Sequence, residues 1–560
     1  MTINTPTEAR HAGHAVQEQA REAGSAIALI EKSAARAPNA VALTYLDSNK
    51  DYEATTRWTF TQFLARVRGA GALFSELSLG KPVVSIILPS IPENHVAVWG
   101  AQGSGIANPL NPWLEPEHLV QLMNAAGTTV VVTLAEQAGG EVARKAISAA
   151  CSVPSVKAIC AVGAHPGDTT GIPEGIRTVH FDADSLVNHP GNGSGAGRPD
   201  GKQPAAYLHT GGTTSAPKLA VLSHENLAAA AIAANLHLGL TGDDVALGGL
   251  PLFHINGISV TGLWPWAVGA EVVMLGSMGF REPRLAERFW ELAKKHRGTF
   301  LSAVPTVYLA LATANPNAAR ESRQTRLKFG IVGAAPLPPD VRSLFEQTCG
   351  IPLVEGYGLT ESTCVATVGP VNGPAPASSV GMGLAGQQIR AVEIDQASRQ
   401  IVADVPTGKV GTIVLKGPNI FLGYLEPAHD KRAWVSDASG RWFDTGDLGS
   451  VDEKGFWRLA GRAKDLIIRG GHNIDPAMIE SSLSAHPAVA LVAPIGRPDA
   501  KLGEVPVAYV QLYPEAHATA EELQAFAEQA ITERAAVPRR IEIIDPLPLT
   551  AVGKIYKPAL

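Results

Sequence analysis

A chain of 560 residues with 45% apolar content holds more than one hydrophobic core supports, so at least two domains are expected. Charged residues make up 18%, the formal net charge is -6 and no long block of either sign occurs, which argues against nucleic acid as a partner. The four cysteines, Cys151, Cys160, Cys349 and Cys364, lack the paired spacing of a zinc site, and a chain this long needs no disulfides, so reduced thiols are expected.

Residues 1–25 contain no apolar run of signal-peptide length and read as a flexible N-terminus. Further on, "PVVSIILP" precedes "PENHVAVWGAQGSG", "TTVVVTLAE" precedes "GGEVARKAISAA", and "AEVVML" precedes "PRLAERFWELAKKH". Strand followed by helix, repeated, predicts α/β layers built on buried parallel sheets. The Ala-rich run "LAAAAIAANLHLGL" is short and interrupted by Asn235 and His237, so no transmembrane segment is expected and the chain reads as soluble and cytoplasmic. Residues 189–204, rich in Gly, Pro and polar side chains, read as a surface linker. Near the end, "DPAMIESSLSAHP" begins with Asp475 as an N-cap and Pro476 in the first turn, and "TAEELQAFAEQAI" places Thr519 and Glu522 at capping-box spacing. With the strand-like "VPVAYVQLY" between them, these helices predict a small α+β domain over 466–560, after a large domain over 26–465.

The stretch "YLHTGGTTSAPKLAVLSH" (207–224) reads as two strands joined by a polar loop. A Walker P-loop runs from Gly-Lys-Ser/Thr into a helix, whereas here Lys218 is followed by Leu219 and a return to strand. Gly211 and Gly212 let backbone N–H groups approach phosphate oxygens, the hydroxyls of Thr210, Thr213, Thr214 and Ser215 add donors, and Lys218 adds charge. Taken alone, the stretch reads equally well as a flexible Gly/Thr turn.

Three later stretches favour the phosphate reading. "VEGYGLTEST" offers Tyr357 as an aromatic face for a base, Thr360 as a phosphate-contacting hydroxyl and Glu361 as a hard oxygen ligand for Mg²⁺. "RWFDTGDLG" sets Asp447 after a glycine in a tight turn, where its carboxylate can accept both hydroxyls of a ribose. "GRAKDLIIRGGHNIDP" combines Arg462, Lys464 and Arg469 with Gly470 and Gly471, and "PLTAVGKIYKPAL" closes the chain with Lys554 in a loop. Singly these also fit a core Tyr, a solvated Glu, an Asx turn, a charged turn and a surface Lys.

In this order and over residues 25 to the end, the motifs resemble those of the adenylate-forming superfamily, which includes acyl-CoA synthetases, luciferases and peptide-synthetase adenylation domains. "HTGGTTSAPK" is similar to its phosphate loop, "GYGLTE" to its nucleotide and Mg²⁺ motif, "FDTGD" to its ribose motif, "GRAKD" to its hinge and "PLTAVGK" to its catalytic-lysine motif. The resemblance implies a large N-terminal domain of βαβ-type sheets with a distorted barrel, and a small mobile C-terminal domain. It implies a reaction in which a carboxylate and MgATP give an acyl-adenylate and pyrophosphate, followed by capture of the acyl group. Tyr357, beside Gly356 and Gly358, would stack on adenine, with Gly333, Ala334, Ala335 and Pro336 on its other side. Asp447 and Arg462 would hold the ribose, Thr360 the α-phosphate and Glu361 the metal, while Asp465 would be the hinge and Lys554 the lysine delivered for adenylation.

"LPLFHINGIS" is similar to the acyl-CoA synthetase segment in which a histidine, here His254, gates the acyl pocket; a His satisfied within a core is the competing reading. No aspartate stands there to pair with an amino-acid ammonium, which favours an uncharged acyl chain. Gly470 and Gly471 would line the pantetheine tunnel, and coenzyme A is the acceptor the resemblance favours. A carrier-protein thiol, an amine or an internal hydroxyl are alternative acceptors, and a nucleotide- or acyl-binding protein with little turnover is a third reading. Two departures stand out: Ser215 and Leu219 occupy positions where such enzymes usually carry glycine, so added Cβ atoms are expected to tighten or reshape the loop and to alter its phosphate affinity. The chain also stops shortly after Lys554, so a last helix or tail is expected to be missing. "SAVPTVY" (302–308) and "KFGIVGAAP" (328–336) offer small apolar pocket walls, which fits a bulky hydrophobic acid as the small-molecule substrate; a homodimer is left open.

Overall fold

The short β-branched runs become strands buried between layers, and the stretches that separate them become helices covering those layers. The computed structural model describes residues 2–560 except 79, 164–171, 190–198, 211–217, 374, 377, 463–466, 470–471, 475, 500, 532 and 550–554. One parallel run is Arg177–His180, Ala158–Val162, Val130–Leu134, Val83–Ile87, Ile106–Pro109 and Pro204–Thr210. It ends in an antiparallel hairpin between Pro204–Thr210 and Lys218–Ser223, to which Gly423–Tyr424 adds, completing an eight-stranded sheet.

A second parallel run, Val41–Asp47, Glu271–Met274, Val245–Gly248, Phe300–Ala303, Phe329–Val332 and Leu353–Tyr357, belongs to a fifteen-stranded sheet. The remainder of that sheet, antiparallel except between Gln400–Asp404 and Trp434–Asp437, curls on itself. Gln388–Asp395 pairs with Gln400–Asp404 and Gly411–Lys416; these reach Trp434–Asp437 and Gly440–Val451, which pair with each other and close the ring. Val392, Val414, Val435 and Trp442 fill this distorted barrel.

Phe456–Arg462 is the last strand of the large sheet. Ile467–Arg469 then opens a smaller sheet with His472–Ile474, Val489–Asp499, Gly503–Leu512 and Arg540–Ile543. Helices Pro476–Ser484 and Ala520–Ala530 pack onto it through Ile479, Leu483, Leu523 and Ala527. The predicted capping box is present, with Thr519 and Glu522 each accepting from the other's backbone N–H. The molecule is therefore α/β with a small C-terminal α+β domain. All four cysteines are free thiols, and no helix among the described residues is long and apolar enough to cross a membrane.

The N-terminus departs from the flexible lead-in expected of it. Pro6–Ala23 is a helix, capped by Thr5 with Glu8 in a capping box and stopped at Gly24 in the left-handed region. Its buried stripe is Ala9, Gly13, Val16 and Ala20, and the small size of these residues explains why it does not register as an apolar face. Ile3 N–H donates to Leu236 O at 3.0 Å and Gln17 Nε2 donates to Gly386 O at 3.0 Å, so the segment is anchored on two distant parts of the fold.

The helix His224–Leu238 lies under that anchor, buried along nearly its whole length. His237 Nε2 accepts from Ala385 N–H at 3.2 Å, which fixes its neutral form as an acceptor. Burial pushes His95 down to about 3, and His224 and His237 down to about 4. Unfolding releases these imidazoles to an ordinary value near 6.5, so below about pH 6.5 the unfolded chain binds protons that the folded chain does not. Stability is thus expected to fall as pH drops from about 6.5 toward 4, each histidine contributing up to about 1.4 kcal/mol per pH unit. Urea unfolding at pH 7 and pH 5 checks this; equal free energies at the two values would contradict it.

Candidate active site

The two parallel runs meet at their carboxyl ends, where loops rather than regular pairing satisfy the backbone. Ser90 N–H, beyond Val83–Ile87, donates to Ser277 O, beyond Glu271–Met274, at 3.0 Å. Phe421 N–H, just before Gly423–Tyr424, donates to Glu361 O, beyond Leu353–Tyr357, at 2.9 Å. A crevice outside the carboxyl ends of parallel strands is where α/β sheets place ligands.

The predicted hairpin is present, with Thr210 opposite Lys218 at its open end. Gly211, Gly212, Thr213, Thr214 and Ser215 lie outside the described residues, so only the two posts of the loop are on view. Leu219, just past the second post, is described. Its side chain is buried in the cluster that holds Leu110, Leu119, Leu122 and Met123, so it belongs to the core of the smaller sheet.

Tyr357 is buried at the end of its strand, and its Oη donates to Asp447 Oδ2 at 2.6 Å. Burial holds the phenol well above its ordinary pKa, and the Asp447 charge beside it acts in the same direction, so it stays a donor. Asp447 is itself buried and meets Arg462 Nε through Oδ1 at 2.8 Å. It sits in the strand Gly440–Val451, not in a tight turn. The register slips between Asp447 and Gly449, and Gly446 takes φ +70°, so the turn-like sequence is spent on a bulge that aims the carboxylate at Tyr357. Gly333 and Ala334 follow the neighbouring strand Phe329–Val332 and stand beside Gly356, with Ala335 and Pro336 continuing the loop; Ala334 takes φ +71°.

Glu361 lies in the turn Thr360–Ser362, buried, with Tyr424 Oη donating to its Oε1. Burial pushes its carboxyl pKa up, while the Tyr424 hydrogen bond and the charges of Arg462 and Lys218 oppose that shift. Lys218 Nζ lies 5.7 Å from the Tyr424 ring centroid, so the hairpin lysine and the acidic turn share one phenol. Gly358 is needed for close approach: a Cβ there would fall 2.1 Å from Cys364 O. Past Ser362 the backbone turns left-handed at two non-glycine residues, Thr363 (φ 53°) and Cys364 (φ 85°). Asn419 stabilises this strained turn. Its Nδ2 donates to Ser362 O and Val365 O, each at 3.1 Å, and its backbone O accepts from Thr363 Oγ1 at 2.7 Å. Asn226 holds the same segment from below, donating to Pro418 O and Ile420 O.

Tyr424 and Asn419 were not singled out from sequence. Neither is titratable near neutrality nor part of a charged motif; the one cue was an aromatic directly after Gly423. His254 caps the short helix Ile255–Ile258, half-buried, its ring 4.7 Å from Phe253. It lies beyond the strand Val245–Gly248. Asp465, Gly470, Gly471 and Lys554 lie outside the described residues.

Residues 30–425 match the model of the AMP-binding enzyme family, and residues 478–554 match that of the AMP-binding enzyme C-terminal domain. The chain belongs to the AMP-binding enzyme family. A marinolic acid–CoA ligase of Pseudoalteromonas sp. (strain SANK 73390) is 34% identical over 525 residues, covering 93% of this chain and 78% of that protein. The long-chain-fatty-acid–CoA ligase of Bacillus subtilis (strain 168) is 29% identical over 553 residues, covering 94% and 92%. The crystal structure of an anthranilate CoA ligase in complex with anthranoyl-AMP superposes with a TM-score of 0.80 at 22% identity, covering 96% of each chain.

An AMP-binding enzyme needs a divalent cation beside its nucleotide. Mg²⁺ keeps several waters and takes one or two carboxylates together with substrate phosphates, so Glu361, a single buried carboxylate near Thr360, has the donor chemistry to hold one. No group of three or more His, Cys, Asp or Glu side chains suited to a metal occurs among the described residues.

Asn419→Ala would leave two buried carbonyls without their donor and the Thr363–Cys364 turn without its brace. The expected loss of stability is about 3 kcal/mol, read from urea unfolding of the unliganded protein. A loss under about 1 kcal/mol would show that the turn holds itself.

Proposed function

We infer that this protein activates a hydrophobic carboxylic acid with ATP to an acyl-adenylate, releasing pyrophosphate, and then transfers the acyl group to the thiol of coenzyme A, releasing AMP. One observation carries the reading: Tyr357, Asp447 and Arg462 meet in one hydrogen-bonded group, and the Arg462 charge also acts on Glu361, so two distant motifs converge at one crevice. The CoA-ligase names of the two curated relatives, which match nearly the whole chain, supply the acceptor.

In this reading Tyr357 and the Gly333–Pro336 loop bracket the adenine, and Asp447 accepts from the ribose hydroxyls while Arg462 holds its orientation. Thr360, Lys218, Thr210 and the loop between the last two bind the phosphates. Attack of a carboxylate on the α-phosphate brings negative charge to negative charge, so the site must place positive charge where it develops. Mg²⁺ held by Glu361 would polarise phosphate oxygens. Lys554 would enter from the C-terminal domain for the first step and leave by rotation about Asp465, so that Gly470 and Gly471 can admit the pantetheine arm for the second. The Phe253–Ile258 segment carries no carboxylate, Val304 and Ile255 are buried and apolar, and one relative is named for long-chain fatty acids, all in favour of a hydrophobic acyl group. Reliance on ATP and CoA favours the cytoplasm.

Mass-spectrometric analysis of products from MgATP, CoA and a panel of carboxylic acids tests the reading. Acyl-CoA and AMP are expected, with Lys554→Ala slowing adenylate formation about 10²- to 10³-fold. Adenylate without thioester would transfer the reading to another acceptor, and no nucleotide turnover across the panel would overturn it.

A further inference from the structure

The crevice has a second rim on the side of the Phe253–Ile258 segment, where Trp113 and Arg281 belong to none of the motifs above. Trp113 lies beyond Ile106–Pro109 in the smaller parallel sheet, while Phe253 and Arg281 lie beyond Val245–Gly248 and Glu271–Met274 in the larger one. Loops from both sheets therefore meet again, on the His254 side. The Arg281 guanidinium sits 4.1 Å above the Trp113 ring centroid. Trp113 packs edge-on to Phe253 at 6.0 Å, and Phe253 lies 4.7 Å from His254. An unbroken track of ring contacts thus leads from a cation at the surface to His254.

The turn that carries Arg281 is fixed in place. Phe280 N–H donates to Gly249 O at 2.9 Å, and a Cβ on Gly279 would fall 2.0 Å from that same oxygen, so only glycine permits the approach. Arg281 is exposed and has no ion pair among the described residues; the adjacent Glu282 is turned toward Arg284, 3.5 Å away. Other arginines of the fold, such as Arg288, Arg342, Arg390 and Arg399, each meet a carboxylate. A guanidinium seated on an indole keeps its charge and its N–H fork for a planar or tetrahedral anion.

We propose that Arg281, seated on Trp113, reads an anionic group on one of the two substrates other than the nucleotide, either a phosphate of coenzyme A or a second carboxylate on the acid. The proposal rests on the acid–CoA ligase reading. Arg281 is a specificity residue, and its work is done before and after the chemical step.

The test compares wild type with Arg281→Gln and Arg281→Lys in two arms. The first measures KM for CoA against 3′-dephospho-CoA and pantetheine. The second measures KM in pyrophosphate release, without CoA, for straight-chain acids against the corresponding α,ω-diacids. A coenzyme A phosphate as the ligand predicts that Arg281→Gln narrows the wild-type preference for CoA about tenfold or more, with partial rescue by lysine. A second carboxylate predicts the same narrowing in the diacid arm alone. Unchanged discrimination in both arms overturns the proposal. If the wild type makes no thioester, the ligase reading fails by itself; calorimetric titration of CoA and of a diacid into wild type and Arg281→Gln then decides the site, and equal affinities would overturn it.

Discussion

Parallel strands that lie side by side all end at the same edge, and the loops that follow them must find partners there without a ladder to join. In this protein two such edges face one another. Backbone bonds from Ser90 to Ser277 and from Phe421 to Glu361 stitch the rims together, and the barrel strand carrying Asp447 approaches from a third side. Tyr357, Glu361, Asp447, Arg462 and Lys218 stand on loops, strands or strand ends that this convergence brings together. The helices and outer strands serve to keep the two edges facing.

Within the crevice, the same local solution appears twice. A carboxylate that must be buried to do its work accepts a hydrogen bond from a phenol and feels a cation nearby: Tyr357 with Asp447 and Arg462, Tyr424 with Glu361 and Lys218. In each case the phenol satisfies one oxygen of the anion; the second oxygen of Asp447 meets only the single Nε of Arg462, which leaves lone-pair capacity for a ligand that a bidentate ion pair would consume. Both acids are thereby desolvated and oriented before any substrate arrives.

The layers of this fold were legible because short β-branched runs alternate with longer helical stretches, and that alternation survives in sequence. The hairpin of 204–223 was legible for the same reason, and the order of motifs identified most of the polar groups now found together. Three features were not. The N-terminal helix buries a stripe of alanine, glycine and one valine, too small to stand out from a polar background. Asp447 looked like a turn residue because a strand bulge uses the same glycine-containing sequence. Tyr424 and Asn419 act through hydrogen bonds to residues some sixty positions earlier in the chain, and nothing local marks such long-range partners.

The N-terminal helix also has a mechanical side. It is tied to Leu236 at one end and to Gly386 along its length, and Gln387, next to Gly386, accepts from Asn419, which in turn braces the turn bearing Glu361. Load applied at the first residues is therefore passed, bond by bond, to an acid far away in sequence. A fusion partner or a trimmed start at this end acts on the stiffness of the whole crevice, as a loosened guy rope acts on a mast.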